Sequence, residues 1–490
     1  MKTLDLYLLL CSFTITVAFG ALTKLSRCRD RKWLIVVAVA LGAIPANSWV
    51  APRLDPHHGL LDMFRYLIGE RDWSSIAAVA MGFAAGGGWI LGGAMPRRRA
   101  SESGSDWSGV GWSEVLWSTL SIVVVVGGGQ AYLWKDVLGI TRYPVDVAGA
   151  EYQIEVVANL DDEPLRLAAD DSGNVFVCFD YFKKHGAVGG AILRFGRDRG
   201  TDGFQQRTVV ESPFLARCYG LAAWRGDLYV SRSGFYPRMQ LGEVTYADTG
   251  AVTQLKDLDG DGYFEYAHDI VTGLPGMRAP DTMQQNNGIL FDDDGSLYVT
   301  NASTADRTLN DHPWGSTILK YPPDFRAPEV FAKGFRNPWT IAFGPDRELF
   351  ATDSDVDKNP GDEINHVVRD GHYGHPFVIP GELGVEAEGF RDPMVVGERE
   401  SVFLGLTYPT SASFPPEYRD HLFVTDFRLH RVLKMKLQRQ GDTYRAAAVT
   451  VFAHIPSPVD IVSTASGEFY VISRRAKQLY RLSPKKPREQ

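Results

Sequence analysis

The sequence lacks an excess of positive charge. Its 490 residues carry 51 lysines and arginines against 59 aspartates and glutamates, which gives a formal net charge of −8. Nucleic acid binding needs a basic face, so this balance argues against nucleic acid as the main partner. The composition also lacks a signature of disorder, and the length is sufficient for more than one domain.

Charged residues are absent from four apolar runs near the N-terminus. Each run is about 17 to 23 residues long, enough for a helix to span roughly 30 Å of hydrocarbon. The runs also contain no histidine, which excludes a bis-imidazole haem site between them. They lie at 6–22, 33–50, 73–95 and 115–134. The sequence therefore predicts an α-helical membrane domain of four transmembrane helices over residues 1–135.

The loops between these runs predict their orientation. Basic residues concentrate in the loop between the first and second runs and in the loop between the third and fourth runs. The positive-inside rule places both loops in the cytoplasm, so we expect a multi-pass protein of the cell membrane with its C-terminal domain on the extracytoplasmic, periplasmic side. A signal peptide cleaved near Ala18-Phe19-Gly20 is the alternative for the first run. The spans are either a plain anchor or a docking surface for a membrane quinone or other electron acceptor.

Long runs of helical period are absent beyond residue 153, where six stretches share a turn, a charged or Gly-rich tip and an apolar strand. Their spacing of about 50 to 70 residues is typical of a repeat array. Each fits the middle of a four-stranded blade, and six blades in a ring make a β-propeller. The stretches are 170–179, 223–232, 292–301, 344–353, 418–427 and 464–473. We therefore predict an all-β six-bladed β-propeller over 154–485, after a linker at 136–153 and before a polar tail at 486–490.

In a propeller, the residues just before each inner strand form the face where ligands bind. The sequence predicts inner strands at 165–170, 219–224, 286–291, 339–344, 409–414 and 459–464. The positions of interest are therefore Arg217–Tyr219, Gln284–Asn287, Arg336–Pro338, Thr407–Thr410 and Pro458–Asp460.

Cysteine is scarce, with four in the chain. Cys11 and Cys28 lie in or beside apolar N-terminal runs, whereas Cys178 and Cys218 fall on strands of the first two repeats. The simplest interpretation of the second pair is two buried thiols in separate blades. A disulfide between adjacent blades is the alternative, because the sequence does not give the distance between them.

Several motifs, among them RNP, DEIN and HYGHP in this order, resemble a known family. KGFRNPWTIAFGPDRELFATDSD (333–355) is followed by GDEINHVVRDGHYGHPF (361–377), and NNGILFDDDGSLYVTN (286–301) fits the same pattern. Together they resemble the glucose/sorbosone dehydrogenase propellers, the soluble pyrroloquinoline quinone (PQQ) type, over roughly residues 150–485. The resemblance implies a PQQ-dependent dehydrogenase that oxidises a sugar, a polyol or a related alcohol or aldehyde.

The resemblance implies that Arg336 and Asn337 contact the quinone cofactor. A guanidinium fork binds a carboxylate bidentately, and PQQ is a tricarboxylate. The alternative is that Arg336 pairs with a structural carboxylate such as Asp353. The DEIN segment (362–365) has two equally weighted interpretations, a loop pinned by backbone N–H groups or a support for metal or cofactor.

The position of the catalytic base departs from the family pattern. In the family, a His takes a proton from the sugar hydroxyl while the quinone accepts hydride. Gln284 occupies the matching position, and an amide cannot act as a general base near neutral pH. Either another loop supplies the base, or the propeller binds without oxidising, or it runs different chemistry.

Calcium is the second cofactor expected, because the family uses it beside the quinone. A separate segment, DLDGDGYFE (257–265), alternates Asp257, Asp259 and Asp261, with Glu265 placed to close a site. Calcium prefers such hard oxygen ligands, although the glutamate comes too early for an EF-hand. We expect the metal to stiffen this loop; a solvated acidic turn is the alternative.

Two other functions compete with the dehydrogenase. One is a catalytically degenerate propeller that binds a carbohydrate or a protein. The other is a calcium-dependent hydrolase such as a lactonase, for which Asn286, Asn287 and Asp460 are the only near fits to the required channel ligands.

Overall fold

A computed structural model describes residues 143–149, 151–180, 189–196, 204–215, 217–233, 250–276, 286–356, 361–378 and 389–485. The four predicted membrane spans and Gln284 lie outside these residues. Within the part of the chain that is described, no helix is long and apolar enough to cross a membrane.

The described strands form six antiparallel blades, as the repeat pattern predicted. Two N-terminal strands, β1 (Asp146–Val147) and β2 (Tyr152–Asn159), come first and join the last two blades. Blade 1 contains β3 (Pro164–Ala169), β4 (Val175–Asp180), β5 (Gly190–Gly196) and β6 (Gln205–Ser212). Blade 2 contains β7 (Cys218–Trp224), β8 (Asp227–Arg232), β9 (Gly250–Lys256) and β10 (Tyr266–Leu274).

Blades 3 and 4 interleave in sequence. Blade 3 contains β11 (Asn286–Phe291), β12 (Leu297–Asn301), β13 (Thr317–Tyr321), β14 (Glu329–Lys333) and a short parallel strand, β18 (Gly371–His372). Blade 4 contains β15 (Pro338–Phe343), β16 (Leu349–Asp353), β17 (Glu363–Val367) and β19 (Val395–Val396).

Blades 5 and 6 each take a strand from the N-terminal end. Blade 5 contains β20 (Phe403–Thr407), β21 (His421–Asp426), β22 (Arg431–Gln440) and β23 (Thr443–His454), with β1 at its edge. Blade 6 contains β24 (Pro458–Ser463), β25 (Phe469–Ser473) and β26 (Gln478–Pro484), with β2 as its outer strand. Short 3₁₀ helices lie at Pro213–Leu215, Pro345–Arg347 and Pro416–Tyr418.

The ring closes through both its inner and its outer strands. Each inner strand contacts the next, and β24 returns to β3. β2 pairs antiparallel with β26, with Ile154 opposite Leu482. Blades then pack face to face through apolar clusters; Phe423, Phe452 and Phe469, for example, lie between blades 5 and 6. A propeller closed in this way leaves few exposed sheet edges.

The tight turns at the repeat tips explain why the second strand of a blade begins just after each tip. Gly173, Gly295 and Gly467 have φ of +81°, +93° and +88°, a conformation that favours glycine. In each case the glycine N–H donates to the carbonyl three residues earlier, at 3.0 to 3.1 Å. All six predicted stretches contain the second strand of a blade.

One predicted strand is wrong. PTSASF (409–414) is not a strand, and the inner strand of blade 5 is β20, Phe403–Thr407. Pro409 lacks the N–H that a ladder needs, so the segment forms the connection to β21 instead. Thr407–Thr410 therefore lies at the end of an inner strand, away from the face that we expected.

The two repeat cysteines are thiols that form no disulfide. Both are fully buried, and Cys178 Sγ lies 4.0 Å from the Cys218 carbonyl oxygen. The interpretation of two buried thiols is confirmed, and the disulfide alternative is wrong for this structure.

Candidate functional site at the channel mouth

A buried carboxylate holds the Arg336–Asn337 segment at the start of β15. Asp353, at the end of β16, accepts the backbone N–H of Arg336 at 3.0 Å and that of Asn337 at 2.6 Å. The two bonds use both carboxylate oxygens and fix the direction of the chain before the channel-lining strand. Asp353 thus positions the pair through its backbone, and it is not the partner of the guanidinium.

The Arg336 guanidinium pairs with Asp306, which lies in the loop between β12 and β13. Arg336 Nη2 and Nε donate to Asp306 Oδ1 at 2.7 and 3.1 Å. The arginine side chain is 12% exposed and the aspartate side chain 37%. A planar guanidinium has a second edge with the same capacity for a carboxylate. The sequence did not single out Asp306, which lies in an irregular loop.

The Asn337 side chain is tied to the neighbouring blade. Its Oδ1 accepts a hydrogen bond from Asn287 Nδ2 at 2.9 Å, and the same amide donates to the Pro338 carbonyl at 3.1 Å. Both asparagines are buried. Asn337 keeps its own Nδ2 as a donor, and Asn287 acts as a clamp between blades 3 and 4.

Four carboxylates gather in this part of blade 4, and burial raises the pKa of each. The pKa of Asp353 rises to about 8 and that of Asp362 to about 7, while that of Glu363 rises well above its ordinary value. Neighbouring carboxylates add to the effect for Asp353 and Glu363. Burial also raises the pKa of Asp355 to about 6, although Arg336 and Arg307 oppose the shift. Raised acid pKa values of this kind are common at functional sites.

The DEIN segment pins two loops. Asp362 accepts the backbone N–H of Phe403 at 3.0 Å and that of Asp355 at 3.3 Å. Glu363 has a weaker partner, the Asn365 amide at 3.3 Å. The loop-pinning interpretation therefore holds for Asp362.

His375 lies on the other side of the Arg336 loop. Its Nε2 is 3.1 Å from Ser303 Oγ, and the Ser303 N–H donates to the Arg336 carbonyl at 2.7 Å. Burial, and then the positive charge of Arg336, lower the pKa of His375 to about 4. The imidazole is therefore neutral at ordinary pH, and it is a weak base.

A buried arginine ties inner strands of three blades together. Arg166 of β3 donates to the carbonyls of Tyr219 and Trp339 and, at 2.6 Å, to Thr340 Oγ1. It lies 4.5 Å from the centre of the Trp339 ring. Asp460, on the neighbouring inner strand β24, is 3.9 Å away. Arg166 therefore links blade 1 to blades 2 and 4 within the channel.

The residues proposed for a hydrolase site do not converge. Asn286 Nδ2 donates to Ser231 Oγ at 2.7 Å at the boundary with blade 2. Asn287 faces Asn337, and Asp460 accepts the Leu167 N–H at 2.9 Å inside the channel. The bonds of Asn286 Nδ2, Asn287 Nδ2 and Asp460 Oδ2 each join neighbouring blades.

The acidic segment 257–265 connects β9 to β10 and is exposed. Oxygens of Asp257, Asp259 and Glu265 lie within 4.8 Å of one another, whereas Asp261 is outside this group. Asp257 also accepts N–H bonds from Gly260 and Gly262, at 2.7 and 2.8 Å. Three of the four predicted ligands thus come together, in a turn that also satisfies them with its own backbone.

Residues 243–481 are similar to a known family, since they match the family model described as Glucose / Sorbosone dehydrogenase. The matched segment contains both Arg336–Asn337 and the acidic loop. No curated protein matches the chain.

Solved structures show the same fold. A putative oxidoreductase (glucose dehydrogenase) from Thermus thermophilus is 21% identical with a TM-score of 0.52, covering 68% of this chain and 100% of that one. The PQQ-bound aldose sugar dehydrogenase of Streptomyces coelicolor is 17% identical with a TM-score of 0.51, covering 69% and 99%. A calcium structure of a Trichoderma reesei carbohydrate-active enzyme of family AA12 is 15% identical with a TM-score of 0.52, covering 70% and 98%.

Proposed function

We propose that this chain is a PQQ-binding oxidoreductase that acts on a sugar or a related alcohol or aldehyde. The observation that carries the proposal is the Arg336–Asn337 pair, which Asp353 holds at the start of a channel-lining strand. The match of residues 243–481 to the glucose/sorbosone dehydrogenase family supports the same function.

Arg336 and Asn337 fit a cofactor that carries a carboxylate. Arg336 has the donor geometry for a carboxylate, and Asp306 already orients its guanidinium through the Nε–Nη2 edge. Asn337 offers an amide donor beside it. When bound, PQQ would supply a quinone that accepts hydride from the substrate carbon.

Asp355 is the best candidate for the general base among the described residues. It lies two residues beyond Asp353, is partly exposed, and feels the charges of Arg336 and Asp306. Its pKa of about 6 leaves it ionised and moderately basic at neutral pH, which suits proton abstraction. Asp353 and Glu363 are more deeply buried, and His375 is less basic. In this proposal Asp355 removes the hydroxyl proton that Gln284 cannot take.

We also propose that residues 1–135 anchor the propeller to a membrane and hold it on the periplasmic side, near a membrane quinone that accepts electrons. The charge-free runs and the basic loops support this placement. The test is protease accessibility of a C-terminal tag in intact spheroplasts and in inverted vesicles. Digestion only in the inverted vesicles would rule the proposed orientation out.

Calcium binding in the 257–265 loop is a further part of the proposal. Asp257, Asp259 and Glu265 are close enough to share one ion. The loop lies on the β9–β10 connection, so its role would be structural.

The decisive experiment is equilibrium binding of PQQ, with calcium present, to the purified full chain, followed by dye reduction with a panel of aldoses. Stoichiometric binding with turnover is expected. Arg336→Ala should weaken binding by about 10-fold to 100-fold, because a charge-assisted pair is lost. Arg326→Ala is the matched control, since that side chain is 86% exposed.

Two outcomes would contradict the proposal. If PQQ does not bind, the quinoprotein assignment fails. Stoichiometric binding without turnover on any aldose would indicate the degenerate binding propeller instead.

A further inference from the structure

A second concave site lies at the outer part of blade 3. It is a cleft of about 460 Å³ between the β12–β13 loop and the segment that follows β18. Its lining includes Gly334 and His375 but neither Arg336 nor Asn337. The cleft is therefore distinct from the proposed cofactor site, although His375 borders both.

The lining of the cleft carries positive charge and no negative charge. Its titratable side chains are Lys333, His312, His372 and His375, and no described carboxylate lines it. Lys333 has no ion pair among the described residues. Such a lining is notable in a chain with a net charge of −8. It favours an anionic ligand over a neutral or cationic one.

His372 has a polar atom suited to an anion. Its Nδ1 accepts the Gly374 N–H at 3.1 Å, so the neutral ring carries its proton on Nε2 as a donor. His375 is 5% exposed and its Nε2 lies 3.1 Å from Ser303 Oγ, so it offers no donor to the ligand.

The rim of the cleft is apolar and open. Leu309 is 68% exposed, Phe377 is 58% exposed and Val330 is 42% exposed. Phe377 also stacks on Phe390, with ring centres 6.2 Å apart at 17°. Exposed large apolar side chains grouped around a cavity mark a binding surface for an apolar body.

The uncharged polar side chains that line the cleft argue against a polyhydroxylated ligand. Asn310 Oδ1 accepts from Thr304 N–H at 2.7 Å, and its Nδ2 donates to Ser316 Oγ at 2.8 Å. Thr317 Oγ1 donates to the Trp314 carbonyl at 2.6 Å. These groups are already used within the protein, so few remain to satisfy sugar hydroxyls.

We propose that this cleft binds a small organic monocarboxylate with an apolar ring or chain. The carboxylate lies against Lys333 and the His372 N–H, and the apolar body covers Phe377 and Leu309. The proposed site is independent of the proposed redox function.

The test uses benzoate as the probe, with benzamide as its uncharged isostere and gluconate as a hydroxylated carboxylate. Binding to the full chain is measured by calorimetry without PQQ. Benzoate should bind about tenfold more tightly than either comparison compound, because only benzoate offers both a charge and an apolar ring.

Variants locate the site. Lys333→Gln should raise the Kd for benzoate about fivefold to tenfold, and Phe377→Ala about fivefold, whereas Lys333→Arg should stay near the original value. Lys436→Gln, on an exposed position of β22, is the matched control and should change nothing.

Equal binding of benzoate and benzamide would overturn the proposal, as would an unchanged Kd in Lys333→Gln. Loss of benzoate binding in Arg336→Ala alone would place the carboxylate at the channel mouth and would also overturn it. Because PQQ is absent from the assay, a failed cofactor assignment leaves this result interpretable.

Discussion

Two acidic loops of this propeller place similar side chains in opposite environments. In blade 4, Asp353 and Asp362 are buried between blades and hold other segments by their backbone N–H groups. In blade 2, the carboxylates of 257–265 are mostly exposed and accept N–H groups of their own turn. The carboxylates of blade 4 are therefore shielded from water and hold other segments in place, whereas those of 257–265 stay in contact with water.

The comparison shows that the environment decides what a carboxylate can do. Burial raises the acid pKa values in blade 4, and the values then spread from about 6 for Asp355 to about 8 for Asp353. Carboxylates with different roles can thus lie within a few residues of one another: Asp355 as the proposed base, Asp362 as a positioning group and Asp353 as an acid that keeps its proton. The following experiments test this contrast.

The largest expected effect is on catalysis. Asp355→Asn should lower kcat by about 100-fold or more while PQQ binding is kept, because the proposed base is lost. In the unmodified chain, kcat/KM should rise with pH through about 6 as Asp355 ionises. Stopped-flow dye reduction across pH 5 to 8 measures both. Asp259→Asn in the exposed loop is the control, and an equal loss there would remove the distinction between the loops.

The next effect is on stability. Asp353→Ala leaves two backbone N–H groups near β15 without their acceptor, so the free energy of unfolding should fall by about 3 kcal/mol. Asp257→Ala, measured without calcium, should cost less than about 1 kcal/mol because water can replace the carboxylate. Urea unfolding of the two variants compares them directly. Similar losses in both would contradict the contrast.

Calcium should affect only the exposed loop. At about 100 times its Kd, calcium should stabilise the chain by about 2.7 kcal/mol. Asp257→Asn should abolish this gain, whereas Asp261→Asn should keep most of it, because Asp261 lies outside the group of three. Thermal melts with and without calcium measure the effect. If Asp261→Asn removes the gain as well, the three-ligand arrangement is wrong.

Stability should also change with pH. Asp353 and Asp362 bind a proton more tightly in the folded chain than in the unfolded one, so stability is greatest at low pH. It should fall as pH rises from about 4 through about 7 and 8, by at most about 1.4 kcal/mol per pH unit for each carboxylate. Asp362→Asn should flatten the slope in urea unfolding at several pH values. A stability that rises over this window would show that these acids are ionised in the folded state.

The sequence predicted the propeller well because its tips follow a local rule. A turn with a residue at positive φ before an apolar strand is a short-range signal, and all six repeats gave their second strand. The residue is glycine in four repeats and Asp346 or Asp420 in the other two. The fifth inner strand was misplaced because 409–414 alternates like a strand but begins with a proline that cannot join a ladder.

The site was only partly predictable. The Arg336–Asn337 pair and the four loop carboxylates stand in recognisable patterns, although only Asp257, Asp259 and Glu265 come together. Asp306 does not, because it is 30 residues from Arg336 in an irregular loop, and only the ring geometry brings the two together. Burial also depends on packing between blades, so the raised pKa values in blade 4 could not be predicted from the positions of acidic residues in the sequence.

The outer strand of blade 6 has a consequence for how the chain is made. β2 is synthesised before blade 1, yet its partner β26 emerges last, and Gln153 meets Ser483 across 330 residues. During synthesis this strand has an unpaired edge while the 330 residues up to its partner are made, which invites mispairing with other chains. Ring closure is also a late, non-local event, so refolding should be slow. Protection of β2 until β26 emerges would therefore favour correct closure of the ring.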